Sequence, residues 1–330
     1  MASSRLDPPA DPPSPDMQAV LTAALPVFAL ILTGWLAARS NLLGVTASEV
    51  LNRLVIYLAL PALLFRAMAQ VAPAQSANGA FIAAFAAGLF ATFAVAFIAH
   101  RGQGTPLADV SIEALSNGYA NAGFMGIPLC LVLFGDAAMA PAVIATLMTA
   151  CLAFGASIAI IEFSRHRDRS LLATGLKVAQ ALVRNPLVLA PALGMAWSRT
   201  GWPLPGAAEN FLALLGNAAS PCALVAIGLF LAKTQTGGSR RTVTRIVATK
   251  LLLQPAVTAV LAFWIVPLPS IWAWTAVLMA ALPIGTGPFM LAQLYGRDAA
   301  VASRAILLST LLSVFTISIL VACAPQAIAP

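Results

Sequence analysis

The chain predicts an all-α membrane protein: ten transmembrane helices forming two inverted five-helix repeats, with the fourth and ninth helices broken and crossing. Three observations predict it. Of 330 residues, 60% are hydrophobic and only 9% charged, whereas a water-facing domain carries about 25% charged residues. Ten apolar runs of roughly membrane-spanning length punctuate the sequence. Two of them, at corresponding places in the two halves, are interrupted by clusters of Gly and Pro.

So little charge excludes a cytosolic enzyme, a nucleic-acid binder and a disordered scaffold. The net charge of +7 reads as a topology determinant rather than a phosphate-binding patch, and no nucleic-acid partner is expected. Cys130, Cys151, Cys222 and Cys323 lie far apart in apolar runs, with no CxxC and no adjacent His. Neither a disulfide framework nor a metal site follows, and no cofactor is expected.

Residues 1–16, MASSRLDPPADPPSPD, carry five prolines with Ser and Asp, so they predict a short disordered tail. They do not read as a secretory signal, because the basic segment is nearly absent and the following apolar run is long enough to span. The spans then fall at 17–38, 50–69, 79–99, 109–135, 138–162, 185–200, 207–232, 246–266, 270–295 and 300–323. The sixth is short, and the amphipathic stretch 170–184 before it either lies in the interface or extends the span. The domains expected are a first repeat over 17–162, a cytoplasmic linker over 163–184, a second repeat over 185–323 and a tail over 324–330. Of the 18 Lys and Arg, all but Arg5, Arg66 and Arg199 sit in or beside alternate loops on one face. The positive-inside bias therefore puts both termini outside.

An odd number of spans per half forces the halves into opposite orientation, which is the inverted-repeat pattern of secondary transporters. Span four crowds Asn117, Gly118, Asn121, Gly123, Gly126 and Pro128 together, and span nine clusters Pro283, Gly285, Thr286, Gly287 and Pro288. Proline removes a backbone donor and glycine tolerates unwound conformations. Non-helical backbone survives in hydrocarbon only where protein or a wet cavity surrounds it. Pro128 and Pro288 suit the first position of a resumed half-helix. Two such N-termini converging at the midplane form an anion site without a buried Lys or Arg, for which a carboxylate is the natural guest. Asn121, Asn117 and Thr286 add donors.

NAGFMGIPL at Asn121–Leu129 and ALPIGTGPFMLAQLYG at Ala281–Gly296 resemble the auxin efflux carrier family, whose bacterial members include malonate-type carboxylate transporters. LPVFALILTGWLAAR, LNRLVIYLALPALLF, RNPLVLAPALG and KLLLQP support the resemblance in order along the chain. It implies a scaffold of spans 1, 2, 6 and 7, a transport unit of spans 3–5 and 8–10, a homodimer, and elevator-like movement of the crossed helices. The long cytoplasmic loop of the plant carriers is absent, and the Ala-rich composition with short loops points to a bacterial inner membrane and small dicarboxylates. An auxin-like aromatic carboxylate is the alternative substrate.

Among charges within spans, Arg53 and Lys250 lie about one turn from cytoplasmic ends and are expected to snorkel. Lys250 shares a helix face with Gln254, so an added cation that attracts carboxylates near the inner mouth is the competing expectation. Glu113 is the carboxylate nearest the crossover and the candidate for proton coupling; otherwise it is a first-turn acid favouring the helix dipole. Coupling to sodium, to protons or to neither is left open. An anion channel would need a continuous polar stripe, and the polar residues cluster only at the two breaks. No GxSxG, HExxH or GxxxxGK[ST] is present, so neither an intramembrane enzyme nor a nucleotide-driven pump is expected.

Overall fold

The computed structural model describes residues 17–44, 46–70, 78–165, 186–232 and 239–324. The expected tail over 1–16, all of the expected tail over 324–330 except Ala324, and most of the expected linker over 163–184 lie outside the described residues. Within them the chain is helical, in chain order α1 (Met17–Arg39), α2 (Ala47–Gln70), α3 (Gly79–Ala99), α4 (Leu107–Gly118), α5 (Ala122–Phe134) and α6 (Asp136–Ser164). The second half continues with α7 (Pro186–Ser198), α8 (Gly206–Leu231), α9 (Arg240–Ile265), α10 (Ser270–Ala281), α11 (Gly287–Leu294) and α12 (Ala300–Cys323). Helix covers each of the ten apolar runs, and the two runs rich in Gly and Pro are each split in two. Among the described residues six helices are long and apolar enough to cross a membrane: α2, α3, α6, α8, α9 and α12. Residues Phe28–Arg39 of α1, with α5 and α10, are apolar but shorter.

Proline acts in two ways in this fold. Within continuous helix a turn of π-helix three times ends two residues before a proline: Val55–Ala59 before Pro61, Ala122–Gly126 before Pro128, and Thr249–Leu253 before Pro255. A fourth, Leu261–Ile265 before Pro267, closes its helix. In the three continuous cases the wider turn displaces the carbonyl that the proline ring would strike and absorbs the missing N–H, so the helix runs on. Pro128 is therefore not where a half-helix resumes. That helix restarts at Ala122, with Asn121 as its N-cap residue, and passes through Pro128 intact. Pro288 does lie in the first turn of its half-helix, as expected.

The helices pack across the two halves. α1 runs against α8 and α7 against α2, while α3 and α9 pack on each other and on α4 and α10 respectively. At the α1–α8 seam the backbones nearly touch. A Cβ on Gly34 would lie 2.1 Å from the carbonyl oxygen of Val225, and one on Gly228 would lie 2.0 Å from that of Ile31. Only glycine permits that approach. Phe81 and Phe85 of α3, both fully buried, help fill the interior, and Phe81 meets Trp272 of α10 edge-on at 5.3 Å.

Candidate functional site: the crossing of the two interrupted helices

Between α4 and α5 the chain is extended at Tyr119–Asn121, and between α10 and α11 it is extended around Ile284. These two segments pair as one isolated antiparallel bridge, Ala120 with Ile284. The N–H of Asn121 donates to the Pro283 carbonyl at 2.8 Å, and the N–H of Gly285 donates to the Tyr119 carbonyl at 2.9 Å. Ser309 of α12 completes the pairing by accepting the Ile284 N–H at 3.1 Å. The bridge answers the requirement that buried backbone groups be paired, so the break can sit in the middle of an apolar interior.

A cavity of about 180 Å³ lies beside the bridge. Among its lining residues are Tyr119, Asn121, Gly123 and Phe124 from the first break, Gly285, Thr286 and Gly287 from the second, and Thr146, Thr149 and Phe154 from α6. Both half-helices begin here. The first intrahelical bonds of α5 run from the N–H groups of Met125 and Gly126 to the Asn121 carbonyl, each 3.1 Å. The amides of Ala122, Gly123 and Phe124 therefore precede that ladder, as those of Gly287 and Phe289 precede the ladder of α11. Among the described residues no Lys, Arg, Asp or Glu lines the cavity, so amides and helix ends are what an anion would meet there. Asn121, 5% exposed, lines this space, and its side chain does not cap its own helix. Thr146 and Thr149 each donate to a carbonyl one turn back, Ala142 at 2.8 Å and Ala145 at 2.9 Å, which leaves their oxygens as acceptors toward the cavity.

Of the residues singled out in the sequence, Asn121, Gly123, Gly285, Thr286 and Gly287 are gathered here. Pro283 contributes its carbonyl to the bridge, and Pro288 starts α11 behind the lining. Asn117 and Gly126 lie elsewhere. The Asn117 amide donates to the Thr92 carbonyl of α3 at 3.1 Å, and its Oδ1 is buried without a partner. Gly126 is the flat face on which Met279 and Leu282 rest. Tyr119 was not among the sequence candidates. Its ring covers the second break so closely that a Cβ on Gly287 would lie 2.5 Å from the ring carbon Cζ. A lone aromatic within the first interruption was the available signal. Thr146, Thr149 and Phe154 sit on an uninterrupted helix and carried none.

Lys250 does not snorkel. It is fully buried ten residues into α9, and its Nζ donates to the Ala280 carbonyl at 2.6 Å. Gln254, one turn on and also fully buried, donates to the Gly118 carbonyl at 3.3 Å. Each side chain thus reaches the last turn of a different half-helix, α10 and α4. Glu113 is not a free first-turn acid either. Buried on α4, it accepts from Arg245 of α9 at 2.5 Å and meets His100 Nε2 at 2.8 Å. Glu113 and His100 border a second cavity of about 530 Å³ that is also lined by Ser116 and the Arg297–Asp109 ion pair. Hydrogen bonding to Asp109, and then its charge, hold the Arg297 guanidinium above its ordinary pKa.

An apolar, all-helical chain whose two broken helices cross over an interior cavity defines a multi-pass membrane protein with a ligand-sized site. The chain belongs to the membrane transport protein family, whose profile matches residues 19–321. It is a membrane transporter by family and not an enzyme, and its resemblance to the auxin efflux carriers is borne out. It is 29% identical over 303 residues, 92% of this chain and 95% of the relative, to a Rhizobium meliloti (strain 1021) protein described as "Putative malonate transporter". To Auxin efflux carrier component 8 of Arabidopsis thaliana it is 28% identical over 164 residues, 47% of this chain and 44% of that one. An "Uncharacterized transporter" of Methanothermobacter thermautotrophicus is 23% identical over 295 residues, 89% of this chain and 94% of its own.

Proposed function

We propose that the protein is a secondary transporter of a small organic anion, a malonate-like mono- or dicarboxylate, bound where the two interrupted helices cross. The observation that carries this reading is the convergence of two helix N-termini and the Asn121 amide on one small cavity with no charged lining. Such a site meets a carboxylate with N–H donors and positive dipole ends, and leaves no strong charge to hold it once access switches. The Rhizobium relative's description, "Putative malonate transporter", supports the substrate class.

The architecture proposed with it is ten spans in two inverted repeats, both termini outside, in the inner membrane, as a homodimer in the bilayer. Its support is the pattern of helix partners. α1 with α8 and α7 with α2 are exchanged pairs, as a twofold between halves requires, and α3–α4 corresponds to α9–α10. In an elevator-like cycle, α3–α6 and α9–α12 would carry the site past a scaffold of α1, α2, α7 and α8. The Arg245 and His100 contacts of Glu113 favour a role in tying α4 to α9 over a role in proton coupling. A second reading, an auxin-like aromatic carboxylate, is favoured by the rings of Tyr119, Phe124 and Phe154 in the lining.

The test is flux into vesicles holding purified protein, with a radiolabelled panel of malonate, succinate, acetate and indole-3-acetate. Saturable uptake with counterflow is expected for at least one dicarboxylate. Uptake confined to indole-3-acetate would favour the second reading, and non-saturating flux without counterflow would indicate a channel.

A further inference from the structure

A lysine ammonium buried in hydrocarbon needs compensation. Lys250 is fully buried, and among the described residues no carboxylate pairs with it. The nearby acids are already engaged: Glu113 with Arg245 and His100, and Asp109 with Arg297. What faces the ammonium is the carbonyl end of α10, through Ala280. Its neighbour Gln254 holds the carbonyl end of α4, through Gly118. Both carbonyl ends carry partial negative charge, and both lie a few residues before the bridge, since Gly118 precedes Tyr119 and Ala280 precedes Pro283. α4 and α9 also carry buried oxygens with no hydrogen-bond partner: Asn117 Oδ1, one residue before Gly118, and on α9 Gln254 Oε1 and, one turn further on, Thr258 Oγ1. Helix carbonyl ends with spare neutral oxygens are the surroundings of a bound monovalent cation. Here a side chain brings the cation.

We propose that Lys250 and Gln254 clamp the carbonyl ends of both interrupted helices, and that the Lys250 ammonium is a tethered cation standing in for a bound metal ion. Anion binding at the crossover then runs without sodium or potassium. The tethered charge contributes long-range attraction to the anion and, through Ala280 and Gly118, sets the two extended segments that form the site. Lys250 is thus a positioning residue that does not line the cavity. The inference rests on the reading of the cavity as an anion site, but the clamp itself does not require that reading.

The experiment uses the full chain, purified and reconstituted, with radiolabelled malonate as probe and sodium, potassium or choline as the cation. Thermal unfolding of the same preparations without malonate is followed in the three salts. Wild-type uptake and melting should be the same in all three. Lys250→Met should raise KM roughly tenfold, the scale of a unit charge about 10 Å from the anion at an effective dielectric near 20. Its melting point should fall and recover with sodium but not with choline, because the vacated oxygens then accept a metal ion. Lys250→Gln keeps a donor toward Ala280 without the charge and should show the same rise in KM. Lys250→Arg should restore a KM close to wild type. Sodium-dependent uptake or melting in the wild type would overturn the proposal, as would an unchanged KM in both neutral variants. A Lys250→Met protein whose melting ignores sodium would also overturn it. If the wild type transports no malonate yet Lys250→Met gains a sodium response, the substrate reading fails and the clamp stands.

Discussion

Gly287→Ala places a methyl group where the Tyr119 ring already lies. The added Cβ would sit 2.5, 2.7 and 2.8 Å from three ring carbons, against about 3.5–4.0 Å for relaxed carbon contacts. The ring must therefore withdraw by roughly 1 Å. Its backbone gives little room, because the Tyr119 carbonyl receives the Gly285 N–H at 2.9 Å and its N–H donates to Leu115 at 2.8 Å. The side chain is left to turn toward Phe154, whose ring centroid is 6.1 Å away, and into the cavity. Overpacking of this kind costs about 1–3 kcal/mol, or about 5- to 150-fold in affinity if it falls wholly on binding. The assay is KM for the carboxylate that the wild type takes up best, together with the melting point in detergent. The same substitution in a Tyr119→Ala background meets no ring, so its further cost should stay within about 0.5 kcal/mol. Equal losses in both backgrounds would refute the contact as the cause.

Asn121→Ala should lower substrate affinity about 10- to 100-fold with little change in melting, since a hydrogen bond to a charged group contributes about 1.5–3 kcal/mol; binding to purified protein at matched concentration checks it. Asn121→Asp should be worse, because it sets a carboxylate against the anion, and binding equal to wild type in both variants would remove Asn121 from the site. Glu113→Gln leaves Arg245 without its charged partner and should destabilise by about 1–3 kcal/mol, read as a lower melting point with KM nearly unchanged; an altered pH dependence of uptake at unchanged stability would instead restore Glu113 as a coupling residue. For topology, Ser239→Cys should resist an impermeant thiol reagent in intact cells while Pro205→Cys labels, with the exposed Cys323 removed first; the reverse pattern would overturn the proposed orientation.

The two interruptions were legible because Gly and Pro act locally: a run that loses N–H donors and gains flexible residues cannot stay helical wherever it packs. Pro128 shows the limit of that logic. Proline also sits within continuous helix when a π-turn precedes it, and nothing in IPL distinguishes the two outcomes. Lys250 shows another limit. Its position along α9 suited a snorkelling side chain, but the direction it takes depends on the carbonyl of Ala280, thirty residues away in sequence. Asn121 was readable because it stands within a break, whereas Asn117, four residues earlier, belongs to the last turn of α4 and turns to Thr92. Thr146 and Thr149 reach the cavity only because α6 packs across the crossing, a tertiary fact with no local trace.

The pairing of Ala120 with Ile284 has a mechanical consequence. Its two backbone hydrogen bonds join buried residues, Asn121 and Gly285, and an amide–carbonyl bond in apolar surroundings is worth about 4–6 kcal/mol. Sliding one broken helix past the other would forfeit both, on the order of 10 kcal/mol, which would leave the parted arrangement populated at about one part in ten million. In the elevator-like cycle proposed above, the four half-helices, pinned at this one joint, would travel as a single body and would not open like scissors. The amides of Asn121 and Gly285, the two pins, should be among the slowest in the molecule to exchange with deuterium, and should stay protected whichever way the cavity faces.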